Sequence, residues 1–95
     1  MIKHIVMWRI NEPRQEPALR IKTALEGLNG QIPGLLHLEV GVDFSREGES
    51  ADVVLYSEFE SRQALEAYPN HPAHAAVAPL VKALRSERRV VDYEV

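Results

Sequence analysis

Residues 35–44 alternate without a break, Leu36, Leu38, Val40, Val42 and Phe44 against Leu35, His37, Glu39, Gly41 and Asp43. A period of two over that length fits a β-strand with one face toward a core, and fits a helix badly. The polar stretch that follows, Ser-Arg-Glu-Gly-Glu-Ser-Ala at 45–51, reads as a hairpin-type loop, and residues 52–59 return as a strand antiparallel to the first. A chain committed to this central hairpin must cover its apolar face with whatever flanks it.

The flanks supply strands and helices in a definite order. Residues 2–10 read as a strand with Ile2, His4, Val6, Trp8 and Ile10 on one face and Lys3, Ile5, Met7 and Arg9 on the other, so both faces are predicted to meet something. Asn11-Glu12-Pro13 is turn chemistry. From about residue 16, the spacing Ala18, Ile21, Leu25, Leu28, Ile32 predicts a helix with Pro17 near its start and Gly30 as its stop. Gly27 inside it costs up to ~1 kcal/mol relative to Ala. Helical segments are predicted at 61–68 and 72–85, the second burying Val77, Leu80, Val81 and Leu84 and kinked or split at Pro79. Residues 88–94 close the chain as a strand.

The order β-α-β-β-α-β over residues 1–95 predicts one α+β domain of ferredoxin-like type, an antiparallel sheet with helices on one face. Its other face would carry Ile5, Met7, Val54, Tyr56, Val91 and Tyr93. An apolar patch of that size is expected to be covered, most simply by a second copy in a symmetric homodimer.

Chemistry-bearing side chains concentrate in residues 59–74. Ser61 stands where a strand gives way to a helical pattern, suited to accept from a free helix N–H. Pro69 ends that helix at Tyr68, and Pro72 suits the first turn of the next, capped by Asn70 or His71. His71 and His74 are three apart, so a phenol and two imidazoles are placed to converge.

Composition narrows the partners. A formal net charge of −3 argues against a non-specific nucleic-acid binder, and the one basic cluster, Arg85, Arg88 and Arg89, reads as a solvated or dimer-facing strand start. Glu39 and Asp92 are expected to pair with Arg88, Arg89 or Lys3. There is no cysteine, hence no disulfide, thiolate or Cys-ligated zinc. No apolar run approaches the roughly 20 residues that span a bilayer, and no signal-peptide pattern opens the chain, so a cytoplasmic, non-membrane protein is expected. His71 and His74 lack a third metal ligand at a recognisable spacing, and neither a phosphate-binding glycine loop nor a nucleophile elbow is present; no metal or cofactor is predicted.

At this point the residues resemble the stress-responsive dimeric α/β-barrel family. The opening Ile2-Lys3-His4-Ile5-Val6, the run Ile32-Pro33-Gly34-Leu35 leading to Leu38-Glu39-Val40-Gly41, the step Phe59-Glu60-Ser61, the signature His71-Pro72-Ala73-His74 and the ending Val90-Val91-Asp92-Tyr93 follow its pattern in order, over nearly the whole chain. The resemblance implies a homodimer whose two sheets form a barrel, with a cleft between sheet and helices in each subunit. A plant member, olivetolic acid cyclase, closes a polyketide thioester by aldol chemistry in that cleft. Its catalytic tyrosine and histidine match Tyr68 and His74, and a pocket histidine matches His4; a further pocket histidine falls at Val53 here.

An imidazole with an unperturbed pKa of ~6.5 suits removal of a proton alpha to a carbonyl, and a nearby phenol can donate to the enolate oxygen. His74 as base and Tyr68 as donor is therefore the catalytic expectation, against a packing role in which His74 serves the helix start and Tyr68 covers the core edge. His4, Val6, Trp8, Leu25, Leu38, Leu55, His71, Val77 and Leu80 are the candidate binding residues, with a filled core as the alternative for the apolar ones and a structural role for His71. The predicted ligand is a small, apolar carbonyl compound. A non-catalytic, stress-associated dimer is the alternative, and haem handling by His74 or His71 a third reading.

Overall fold

The computed structural model describes residues 1–95. Its elements are β1 (Ile2–Ile10), α1 (Gln15–Glu26), β2 (Leu35–Val42), β3 (Val53–Phe59), α2 (Arg62–Ala67), α3 (Pro72–Leu84) and β4 (Arg85–Glu94), with a single 3-10 turn, Tyr68–Asn70, between α2 and α3. The strands lie in the order β2-β3-β1-β4, every neighbouring pair antiparallel, which is the ferredoxin-like arrangement.

Alternation in β1 and β3 supplies the floor of the core. Ile2, Val6, Trp8 and Ile10 are buried beside Val53, Leu55 and Phe59, with Val6 opposite Leu55 and Trp8 opposite Val53. Ala18, Ile21 and Leu25 of α1 close over them, and burial of each large side chain contributes about 1.5–3 kcal/mol. Leu28 and Ile32 are buried as well, but from the turns after the helix. The helix ends at Glu26 with Gly27 at its C-cap rather than at Gly30, because glycine is a poor helix interior residue.

Two expectations for β2 need correction. The register shifts between Leu35 and His37, so Leu36 sits in a bulge and points outward, and the strand ends at Val42, leaving Phe44 93% exposed. Only Leu38 and Val40 of the alternating set are buried. A bulge inserts one residue and reverses the facing of everything on one side of it, which a period of two does not reveal.

The open edge of β2 is closed by side chains of α1 and the turn after it. Asn29 Nδ2 donates to the Leu38 carbonyl at 2.8 Å while its Oδ1 accepts from the Leu38 N–H at 3.0 Å. One step along, Lys22 Nζ donates to the Val40 carbonyl at 2.7 Å and Glu26 Oε2 accepts from the Val40 N–H at 3.1 Å. Lys22 and Glu26 also pair at 2.8 Å, and that bond first, then the Val40 N–H, lowers the Glu26 pKa. A free strand edge is thereby blunted without another strand.

Pro79 was expected to kink or split the last helix, and α3 does not split: it runs from Pro72 to Leu84. Pro79 is on the exposed side, where the carbonyl its ring deprives of a partner can turn to water.

The molecule is one sheet and one helical layer thick, 17 Å along its shortest axis. On the helix-free face Met7, Val91 and Tyr93 are exposed, with Ile5, Val54 and Tyr56 half-buried. β4 pairs with β1 along its length yet contributes no buried residue.

Candidate active site

Local chain chemistry builds one corner. Ser61 caps α2, its Oγ accepting from the Ala64 N–H at 3.1 Å. Pro69 then forces the 3-10 turn, which holds Tyr68 with 3% of its surface exposed. His71, extended before Pro72, caps α3: its Nδ1 accepts from the Ala73 N–H at 3.1 Å and its carbonyl from the Ala75 N–H at 2.9 Å. That restarts the helix so that His74 comes round beside Tyr68. The two rings meet edge to face, 4.4 Å between centroids at 66°.

A cavity of about 210 Å³ opens between α3 and the sheet. β1 lines it with His4, Val6 and Trp8, β3 with Leu55 and α1 with Leu25. Tyr68 and His74 stand at one end, and Ala78, Val81, Lys82, Arg85 and Arg88 complete the wall. Of the candidate binding residues, Leu38, His71, Val77 and Leu80 do not border it. Leu38 lies in the core on β2, His71 is occupied as a cap, Val77 packs against the core, and Leu80 faces α1 across a separate groove. Val53, on the third strand, is buried in the core and also lies off the cavity wall.

The polar groups at the Tyr68 end are unevenly satisfied. His4 Nδ1 is hydrogen-bonded to the Asp92 carboxylate, its cross-strand neighbour, so Nδ1 carries a proton and Nε2 is the nitrogen left for a ligand. Asp92 was expected to meet an arginine or Lys3 and meets His4 instead, because His4 is directly opposite it in the ladder; Glu39 likewise pairs with His37, at 3.0 Å. The Tyr68 hydroxyl, His74 Nδ1 and Trp8 Nε1 are buried and have no partner in the protein. The hydroxyl and imidazole touch as rings, without a hydrogen bond between them.

Burial sets the protonation of this pair. It pushes the Tyr68 phenol up to about 12, so the group stays a neutral O–H donor across the physiological range. Burial also lowers the His74 pKa, the Pro69 backbone opposes that, and the charges of His4 and Arg88 add to it. A neutral imidazole beside a neutral phenol, in an apolar wall, has the form of a proton acceptor next to a proton donor.

The volume bears on the haem reading. About 210 Å³ is below the roughly 300 Å³ at which pockets for drug-sized molecules begin, so a porphyrin does not fit without opening the helices, and His71 does not border the space. Nowhere do three His, Asp or Glu side chains gather as a metal ligand set. No helix is long and apolar enough to cross a membrane.

The sequence signals for the remaining wall were present. His74, Ala78, Val81, Lys82 and Arg85 follow the three- and four-residue steps of one helix face, so the stripe that starts at His74 leads along the cavity. Asp92 was visible as an acid on the last strand, but that it meets His4 depends on the β1–β4 register.

Comparison with known proteins agrees with this architecture. An uncharacterized protein of Streptomyces coelicolor is 32% identical over 97 residues, covering 99% of each chain. The crystal structure of a dimeric protein of unknown function with a ferredoxin-like fold from Bacteroides fragilis is 31% identical, with a TM-score of 0.84 over 99% of this chain and 95% of that one. A solved antibiotic biosynthesis monooxygenase, 22% identical with a TM-score of 0.80 over 100% and 98% of the two chains, shares the fold. The model of the stress responsive A/B barrel domain matches residues 2–95. The chain belongs to the stress-responsive A/B barrel domain family.

Proposed function

We propose that this protein is a cytoplasmic homodimer that binds a small, apolar carbonyl compound in the cavity under α3 and removes a proton alpha to the carbonyl without a cofactor. The observation that carries the reading is the pairing of Tyr68 and His74: rings in contact at 4.4 Å, on the wall of one cavity, each with a buried polar atom that nothing in the protein satisfies. Buried polar atoms ordinarily have partners, and a native structure that leaves two together invites a ligand to supply them. The neutral His74 imidazole takes the proton. The Tyr68 hydroxyl donates to the oxygen on which enolate charge develops, remaining a phenol throughout. The carbanion equivalent then attacks a second carbonyl of the same molecule, as in a cyclase, or expels a leaving group, as in a lyase, and the proton held by His74 passes to the new alkoxide or to the leaving group. His4, held by Asp92, offers Nε2 to a hydroxyl of the ligand.

Dimerisation is supported by the exposed apolar residues of the helix-free face and by the dimeric Bacteroides fragilis relative. Covering that face leaves the cavity wall intact, since its lining comes from the helices and the helix side of the sheet.

Solvent deuterium exchange at the alpha position of small β-keto esters, followed by proton NMR, tests the chemistry. Exchange faster than in buffer, abolished in His74→Ala and slowed in Tyr68→Phe, is the expected result. Exchange at the buffer rate across the series would leave a binding protein or a non-catalytic, stress-associated dimer as the better reading.

A further inference from the structure

The chain carries 14 acidic against 11 basic side chains, yet the cavity wall holds Lys82, Arg85 and Arg88 and no carboxylate. None of these three cations forms an ion pair within 4.0 Å; Lys3 and Arg89, on the helix-free face, are likewise unpaired, while Arg9, Arg14, Arg20, Lys22, Arg46 and Arg62 are all paired. Lys82 is in the last turn of α3 and Arg85 at its C-cap, where positive charge also answers the helix dipole. Arg88 has no such duty. It is on β4, opposite Trp8 in the ladder, so it projects to the helix side of the sheet and into the same wall. Its charge is felt by His74. Three like charges on one apolar wall repel, and an anion placed among them would relieve that.

Resting on the reading of this cavity as the ligand site, we infer that its ligand is a small organic acid whose carboxylate is held by Arg88 and Arg85, with Lys82 at the rim, while its apolar carbonyl-bearing body reaches Tyr68 and His74. The geometry sorts the two ends of the ligand. Guanidinium groups match carboxylates with paired, parallel hydrogen bonds, which fixes the long axis of the molecule. Val6, Leu25 and Leu55 offer an apolar wall to the body of the ligand, and Trp8, opposite Arg88 in the ladder, lies beside its carboxylate end. An acid anchored at the β4 side would present its interior carbon atoms to the imidazole.

Trp8 is the one tryptophan in the chain and lines the cavity, so its emission reports occupancy. The probes are 4-ethyl-, 4-butyl- and 4-hexylbenzoate and their methyl esters, titrated at pH 7 in low salt. At least one acid is expected to bind about tenfold more tightly than its ester, the preference shrinking in 0.5 M NaCl as surface charge is screened. Arg88→Gln should erase most of that preference, bringing acid affinity down to near that of the ester, and Arg85→Gln or Lys82→Gln gives the same reading if Arg88→Gln folds poorly. Arg20→Gln, on the outer face of α1, should change nothing. Equal affinity for acids and esters overturns the carboxylate assignment while the cavity reading stands. No change in Trp8 emission with any probe, in protein with native circular dichroism, overturns both.

Discussion

Ala64 fills the space into which a side chain at Gly34 would grow. A Cβ built on Gly34 falls well inside contact with the Ala64 Cβ, and Gly34 has a φ of +80°, a region where L-residues are strained. The Gly34 carbonyl also accepts from the Glu60 N–H at 2.9 Å, so the turn before β2 and the start of α2 are locked together just upstream of Tyr68. Gly34→Ala is therefore expected to cost about 2–4 kcal/mol, the sum of the backbone strain and the overlap. Ala64→Gly in the same chain should recover the overlap but not the strain. Urea unfolding of the two single variants and the double variant reads the coupling; strictly additive effects would show that the two residues do not meet.

Tyr68→Phe separates a site tyrosine from a packing tyrosine. The hydroxyl is buried without a partner, and such a group costs about 1–3 kcal/mol. Its removal should leave unliganded stability unchanged or raise it by about 1 kcal/mol, seen as a rise of roughly 4–8 °C in Tm at this chain length, while exchange activity falls. A lower Tm for Tyr68→Phe would mean that the hydroxyl is satisfied and structural.

His74 makes stability depend on pH in a defined direction. Its pKa in the folded protein lies below the ordinary 6.5, mainly because burial disfavours the cation, with His4 of β1 and Arg88 of β4 adding repulsion and the Pro69 backbone opposing. The folded state thus binds fewer protons than the unfolded one between the two values, and stability rises with pH there. The contribution is present in full above pH ~6.5 and is lost as pH falls through the lowered value. Urea midpoints of the protein and of His74→Gln, measured from pH 7.5 down to 4.5, should converge or cross as the wild type loses that increment. A constant offset between them over this range would show that His74 titrates alike folded and unfolded.

The faces of β1 and β3 were legible because alternation and burial coincide there residue by residue, from Ile2 to Ile10 and from Val53 to Phe59. β2 was misread at Leu36 and Phe44 because hydropathy records which residues avoid water in sum, while a bulge and a strand end are decided by backbone hydrogen bonds. The site divides in the same way. Tyr68 and His74 are brought together by Pro69 and Pro72, whose effect on the chain is local and readable. Which part of the α3 face stays unfilled is a matter of packing between elements, so Val77 and Leu80, sharing the helix with Val81, carried no sign that they miss the cavity. Arg85 and Arg88 were visible as charges; that they border the cavity depends on the β1–β4 register.

Asn29 stands in for a missing strand, and its loss should be felt at the β2 edge. Asn29→Ala removes both hydrogen bonds to Leu38 and exposes that backbone pair. A cost of about 1–3 kcal/mol is expected, together with faster amide exchange at Leu38 than at Val40, whose partners Lys22 and Glu26 remain. Unaltered protection at Leu38 would mean that water or another chain serves that edge equally well.

The helix-free face supplies the test of assembly. Val91 is opposite Ile5 in the ladder, 50% exposed, with Met7 and Tyr93 nearby on the same side. A glutamate there would place a charge in the middle of the apolar surface that a second copy must cover, and an unpaired charge buried in an interface costs several kcal/mol. Val91→Glu is expected to sediment as a single chain at low micromolar concentration, and the unmodified protein as a dimer. Arg20→Glu, a charge reversal on the outer face of α1, serves as the charge control and should leave the dimer intact. Both variants dimerising equally would place the interface elsewhere, because no docking of two copies through this face can leave Val91 in water.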